Sequence, residues 1–270
     1  MKPASRKSNV TRLRAVGKPK LKTVRNRMSS AEWQARVDLA AAYRLTAILG
    51  WTDMIGTHIS CRVPDTPDQF LINPYGMLFE EITASSLIKV DEHGGKLSES
   101  PFPVNPAGFV IHSAIHAARP DVICVLHTHT RDGIAVASQP NGLLPLSQQA
   151  TIALSSLGYH SYEGIAVHDD EKPRLQRDLG DNAALILRNH GLLTVGATVA
   201  DAFLAMYTLQ RACEIQIAAQ SSGAKLIPIG PHIVAGAKAN LALVTKGLGG
   251  GLAWPGLLRK LDRMDPSYRQ

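Results

Sequence analysis

The chain has 270 residues, of which 45% are hydrophobic and 19% are charged, an ordinary composition for one large globular domain. Its apolar runs are too short to predict a membrane span. The three cysteines are far apart and form no CxxC pair. We therefore expect reduced thiols, a cytoplasmic location and no zinc site built from cysteines.

The formal net charge of +7 is unevenly distributed along the chain. Residues 1–28 contain ten basic residues and no acidic one, so the remaining chain has a net charge of −3. This composition favours a disordered basic tail, with a nucleic-acid contact, an acidic surface or an organellar presequence as alternatives. We predict a tail at 1–28, a domain at 29–225 and a C-terminal extension at 226–270.

The first elements are predicted from capping and periodicity. Ser29 followed by Glu32 is a capping box, and the apolar spacing that follows predicts a helix that ends at Gly50. Short alternating runs at 59–63, 69–72 and 87–90 predict three strands.

After Pro106 the apolar period changes to that of helices alternating with strands. Helices are predicted from 106 to just before Pro120, at 131–138, 150–157, 171–179 and 199–220. Strands are predicted at 122–128, near Leu143, and at 164–168, 183–187 and 192–195. After 223 the pattern is weak, with a short apolar segment at 241–244. Together these elements predict a mixed sheet covered by helices.

His127 and His129 lie at the end of an apolar, β-branched run. Residues i and i+2 of a strand point to the same side, so both imidazoles would leave the strand together. His190 follows another apolar strand and precedes a glycine. Each histidine alone has an ordinary explanation, as a chance pair or a turn residue. The three together predict a metal site with open coordination positions, which is the catalytic type.

Several motifs in the same order resemble the class II aldolase/adducin family, and its adducin-head branch in particular. They are residues 105–121, the His-Thr-His triplet at 127–129, and 187–191, supported by 142–145, 159–162 and 211–216. The resemblance covers about residues 32–220.

The resemblance implies an α/β fold with three αβα layers and a mixed, largely antiparallel central sheet. It also implies a homotetramer with sites near subunit interfaces. His127, His129 and His190 would bind a divalent metal, zinc first, with iron or manganese as alternatives. The partner would be a small carboxylate or carbonyl substrate, with no membrane and no nucleic acid apart from the tail.

Some positions depart from the aldolase pattern. The family's acid/base glutamate would lie at Gly108, which cannot move a proton. The two small hydroxyl residues expected before it are Pro106 and Ala107, and an asparagine of the phosphate pocket becomes His58. These changes disfavour a sugar phosphate. Our substrate-binding candidates are His58, Asn73, Gly76 and Gly108, and our catalytic candidates are His112, His160 and Tyr162.

Three functions fit these residues. The first is a metal-dependent lyase that cleaves or decarboxylates a non-phosphorylated oxo or hydroxy acid. The second is a non-heme iron oxygenase, because histidine ligands alone do not separate zinc from iron. The third is a non-catalytic adducin-like scaffold, since adducin heads share the missing glutamate.

Overall fold

The computed structural model describes residues 24–270, so most of the predicted basic tail lies outside the described residues. Seven strands form one sheet in the order β3-β2-β1-β4-β7-β6-β5. The strands are β1 (His58–Val63), β2 (Thr66–Ile72), β3 (Ile88–Asp91), β4 (Cys124–Thr128), β5 (Leu157–His160), β6 (Ala184–Leu187) and β7 (Gly191–Gly196). Only β5 and β6 pair in parallel, so the predicted mixed, largely antiparallel sheet is confirmed.

Eight α-helices accompany the sheet in the described part of the chain. They are α1 (Ser30–Ile48), α2 (Pro106–Ala118), α3 (Arg131–Ala137), α4 (Gln148–Leu154), α5 (Lys172–Leu179), α6 (Val199–Ser221), α7 (Pro231–Val244) and α8 (Trp254–Met264). None of the helices within residues 24–270 is long and apolar enough to cross a bilayer.

Alternation along the strands separates two apolar cores. Cys124 and Leu126 face a large core shared with α1 and α6, whereas Val125 faces a second core with Ile111 of α2 and Leu175 of α5. Helices therefore cover both faces of the sheet, which gives the expected three layers. His127 has the same strand parity as Val125, so it emerges on the side of the sheet that α2 covers.

Side-chain caps fix where several helices begin. The Ser29 hydroxyl accepts a hydrogen bond from Glu32 N at 3.1 Å, as the capping box predicted. Asn105 Oδ1 accepts from Ala107 N at 3.1 Å and Gly108 N at 3.4 Å, and Pro106 occupies the first turn of α2. These caps place the first turn of α2 beside the end of β1.

Three local predictions are wrong. Residues near Leu143 form turns rather than a strand, and the segment 164–168 is irregular, with Ile165 and Val167 exposed. The strand of this region is β5, in the four residues that follow α4. The weakly patterned C-terminal part contains α7 and α8 rather than a short apolar segment.

The last residues return to the first helix. Tyr268 is fully buried, its carbonyl accepts from Ala84 N at 2.9 Å, and the Gln270 carbonyl accepts from Ser85 N at 2.8 Å. Arg44 of α1 pairs with Asp265 at 3.2 Å. Residues beyond 226 thus complete the packing around α1.

Candidate metal centre

The turn between β6 and β7 brings a third histidine to the end of β4. Leu187 pairs with Gly191, and the three residues between them include Asn189 in the left-handed region, with φ of 56°. A β-carbon on Gly191 would lie 2.3 Å from the Thr128 carbonyl oxygen and 3.1 Å from a His129 ring carbon. Glycine at this position is therefore needed to let β7 pass close to the histidine pair.

His127, His129 and His190 form one cluster. One ring nitrogen from each lies within 4.8 Å of the others. The shortest separation joins Nε2 of His127 to Nε2 of His129 at 2.8 Å. Two nitrogens on one tetrahedral zinc ion lie about 3.4 Å apart, so small side-chain movements adapt this cluster to a metal.

Backbone and carboxylate acceptors orient two of these imidazoles. The Leu192 carbonyl oxygen lies 2.9 Å from His127 Nδ1, and Asp53 Oδ2 lies 3.0 Å from His129 Nδ1. Both Nδ1 atoms therefore donate, which leaves the two Nε2 lone pairs directed into the cluster. An imidazole held in this way by a second acceptor is the usual arrangement around metal-binding histidines.

Burial and mutual repulsion keep the cluster neutral. Burial, followed by the neighbouring histidines, lowers the pKa of His127 well below its ordinary value. The same causes lower the pKa of His190 to about 4. Neutral imidazoles retain the lone pairs that a metal ion needs, so the donor set fits a divalent metal of the zinc, iron or manganese type.

Gly108 faces His58 across the interface between α2 and β1. A β-carbon on Gly108 would lie 2.6 Å from Cδ2 and 3.0 Å from Nε2 of His58. His58 pairs with His127 across β1 and β4, and their ring centroids are 5.0 Å apart. The imidazole at 58 thus fills the space that a side chain at 108 would need, next to the cluster.

His112 lies behind His58, as seen from the cluster. His112 Nε2 is 2.7 Å from His58 Nδ1, and His112 Nδ1 is 2.6 Å from Ser60 Oγ. Both ring nitrogens of this catalytic candidate are therefore engaged with β1.

His160 has a different environment from the cluster. Its Nδ1 lies 2.8 Å from Asp178 Oδ2 and its Nε2 lies 3.2 Å from Glu171 Oε1. The side chain is 4% exposed, so this buried ring joins β5 to the start and end of α5. Both nitrogens again have protein partners.

Tyr162 is the third catalytic candidate and is 53% exposed. Its ring centroid is 6.1 Å from that of His190. Tyr162, His160 and His190 line the same small cavity, so the tyrosine hydroxyl is the exposed polar group on this side of the cluster.

Two substrate-binding candidates lie in the loop after β2. Asn73 is 1% exposed, and its Oδ1 lies 2.9 Å from the buried Tyr43 hydroxyl. Gly76 has a φ of 118°, is exposed and packs against Phe102. The contacts of both residues are thus with the loops around β2.

Sequence reasoning missed Asp53. This residue lies in the turn between α1 and β1, where its carbonyl oxygen accepts from Gly56 N at 2.8 Å. The only sequence signal is an acidic residue in a glycine-containing turn, which is common in loops.

Comparison with known proteins agrees with this geometry. The family model described as Class II Aldolase and Adducin N-terminal domain matches residues 37–217. A Pseudomonas aeruginosa protein named "Putative aldolase class 2 protein PA3430" is 62% identical over 250 residues, which cover 92% of this chain and 96% of that protein.

Two further relatives represent the two halves of the family name. Alpha-adducin of Rattus norvegicus is 47% identical over 185 residues, which cover 67% of this chain and 25% of the adducin. The structure of L-fuculose 1-phosphate aldolase from Glaciozyma antarctica superposes with a TM-score of 0.79 at 29% identity, covering 93% of this chain and 96% of that one.

Proposed function

Because the chain belongs to the class II aldolase and adducin family, we propose that it is a metal-dependent lyase. It would cleave a C–C bond, or remove CO₂, in a non-phosphorylated oxo or hydroxy acid. The observation that carries this proposal is the orientation of His127 and His129. Their Nδ1 atoms are bound to Leu192 and Asp53, and their Nε2 atoms converge with a nitrogen of His190.

A bound divalent metal would polarise two neighbouring substrate oxygens and stabilise the negative charge left after bond cleavage. The histidines would hold that charge-stabilising group in place from one side. The low exposure of His127 and His58 keeps water from that side of the substrate, which strengthens every electrostatic contact there.

Gly108 favours decarboxylation among the lyase reactions. Loss of CO₂ needs no base to begin, whereas a retro-aldol cleavage starts with removal of a hydroxyl proton. A glycine at 108 supplies no such base, and His58 leaves no room there for a larger residue.

The first turn of α2 also argues against a phosphate ester. Pro106 and Ala107 carry no hydroxyl donor, and Asn105 Oδ1 is already bound to the helix backbone. A phosphate would therefore find few side-chain donors on this turn. The L-fuculose 1-phosphate named for the Glaciozyma antarctica relative is accordingly not our proposed substrate.

A second candidate function is an adducin-like scaffold. The 47% identity to alpha-adducin favours it, although the match spans only a quarter of that protein. In this case the three histidines would be a structural remnant and the protein would bind no metal.

Metal analysis separates these functions. Protein purified without chelators should contain zinc or manganese at about one ion per chain, and His129→Ala should lose it. His93→Ala is the matched control, because His93 is exposed and lies outside the cluster. Bound iron would support an oxygenase instead. Failure to bind any metal after reconstitution would overturn both enzymatic functions.

The metal-loaded protein should then release CO₂ from one member of a panel of oxo acids, hydroxy acids and dihydroxyaromatic acids. Loss of the released CO₂ in His129→Ala, with His93→Ala unaffected, would assign the reaction to the cluster. Metal bound at full occupancy without turnover across the panel would favour a binding role.

We also propose a homotetramer in the cytoplasm. The family resemblance supports the tetramer, and the three buried, unpaired cysteines of the described residues support a reducing compartment. Light scattering on the purified protein tests the tetramer directly, and a monomer would overturn it.

A further inference from the structure

Four buried polar side chains alternate between β1 and α2. His58 and Ser60 are two residues apart on β1, and His112 and His116 are four residues apart on α2. Two residues of a strand advance about 6.8 Å and four residues of a helix about 6.0 Å, so the two elements present side chains at nearly equal intervals. The four side chains therefore interleave into one row.

The row is a continuous hydrogen-bonded chain, which we name the imidazole chain. His58 Nδ1 lies 2.7 Å from His112 Nε2, His112 Nδ1 lies 2.6 Å from Ser60 Oγ, and Ser60 Oγ lies 2.8 Å from His116 Nε2. The four residues are between 1% and 3% exposed. Burial lowers the pKa of all three imidazoles, of His116 to about 3, so they are neutral near pH 7.

A neutral imidazole carries one N–H, so each ring that donates through one nitrogen accepts through the other. The chain therefore has two possible directions. In one direction His58 Nδ1 donates to His112, His112 Nδ1 donates to Ser60, and Ser60 donates to His116. In the other direction every donor becomes an acceptor, and His58 carries its proton on Nε2.

The far end of the chain favours the first direction. His116 Nδ1 is buried without a hydrogen-bond partner in the described residues, and the backbone of Val122 is the group that favours a proton on this ring. An N–H on Nδ1 faces this carbonyl favourably, although the approach falls short of hydrogen-bond geometry. A bare Nδ1 would instead place two lone pairs against each other in a buried site.

We propose that the imidazole chain fixes His58 as a hydrogen-bond acceptor, with an unprotonated Nε2 offered to a hydroxyl group of the ligand beside the three-histidine cluster. No hydrogen bond in residues 24–270 uses this Nε2, and the ring lies next to His127. The preferred ligand class is then a hydroxy acid rather than an oxo acid. This choice of ligand class rests on the proposed function, whereas the direction of the chain does not.

Nitrogen NMR of histidine side chains tests the direction in the metal-free protein. Long-range ¹H–¹⁵N correlation distinguishes a protonated from a bare ring nitrogen, and His58→Phe identifies the signals of residue 58. We expect a proton on Nδ1 of His58, His112 and His116. A proton on Nε2 of His58 would overturn the proposal, whatever the protein catalyses.

Ser60→Ala interrupts the chain and should change the tautomer populations of His58 or His112. Ser113→Ala is the matched control, because Ser113 is a buried serine of α2 that bonds only to the Val110 carbonyl. Ser60→Thr keeps the hydroxyl and should preserve the wild-type tautomers. An unchanged His58 tautomer in Ser60→Ala would show that the chain does not set it.

The ligand class is tested by calorimetry on zinc-loaded protein with lactate and its O-methyl ether, 2-methoxypropanoate. Loss of one hydrogen bond corresponds to about a tenfold change in affinity. The preference for lactate should fall by about that factor in His58→Phe and stay unchanged in Ser113→Ala. An equal preference in His58→Phe and wild type would overturn the role of His58. A protein that takes up no zinc would overturn the proposed function, while the NMR result still decides the direction of the chain.

Discussion

The imidazole of His58 occupies the space in front of Gly108, where a β-carbon would lie 2.6 Å from the ring. The two residues are thus one packing unit: the glycine admits the histidine, and the histidine excludes any larger residue. Restoring a carboxylate at 108 would require removing the ring first.

Gly108→Ala should therefore destabilise the protein by about 1–3 kcal/mol, the usual cost of overpacking a filled site. The same substitution in a His58→Ala background should cost little, because the ring is gone and alanine favours a helix. Urea unfolding of the four proteins measures this coupling. Additive effects of the two substitutions would contradict the packing relationship.

Asp53→Asn should weaken zinc binding by about 10–100-fold, because it removes the charged acceptor that orients His129. Competition with a chromogenic chelator measures the affinity. Asp68→Asn is the control, since Asp68 is an exposed acid on β2. Equal zinc affinities in the two variants would show that Asp53 does not orient a metal ligand.

His160→Asn should act on stability rather than on metal binding. The substitution leaves Asp178 and Glu171 without their shared partner, which we expect to cost about 1–3 kcal/mol. Zinc affinity should stay within about twofold of wild type because the cluster nitrogens are untouched. A stable variant with abolished CO₂ release would instead assign His160 a catalytic role.

Stability should fall as the solution is acidified below about pH 6.5, because burial holds the pKa of His116 at about 3. Between these values the unfolded chain binds a proton that the folded protein does not, so the free energy of unfolding decreases by about 1.4 kcal/mol per pH unit for this group. His116→Phe should reduce that slope by the same amount in urea unfolding at pH 5.5 and 4.5. The exposed His93→Phe should leave the slope unchanged, and parallel curves for wild type and His116→Phe would refute the prediction.

The sequence predicted most of the sheet because β1, β2, β4, β6 and β7 are apolar runs with clear ends. It predicted the grouping of His127, His129 and His190 because strand ends concentrate such residues. Two features defeated local patterns. Ile165 and Val167 alternate like a strand but are exposed, whereas β5 is only four residues long and contains a glycine.

The surroundings of the cluster were less accessible to sequence reasoning. Asp53 reaches His129 only because the turn before β1 lies beside the end of β4, a contact between segments distant in the chain. The fit of His58 against Gly108 likewise depends on how closely α2 approaches β1. Periodicity predicts which face a residue occupies, but it does not give the separation between two packed elements.

The three histidines also come from chain segments that meet only when β4 pairs with β7 and the β6–β7 turn closes. An unfolded or half-folded chain presents the His-Thr-His triplet but not His190 beside it. Binding of a coloured ion such as cobalt(II) should therefore lag behind the burial of tryptophan during refolding, so the ion's absorption band would report completion of the sheet in real time.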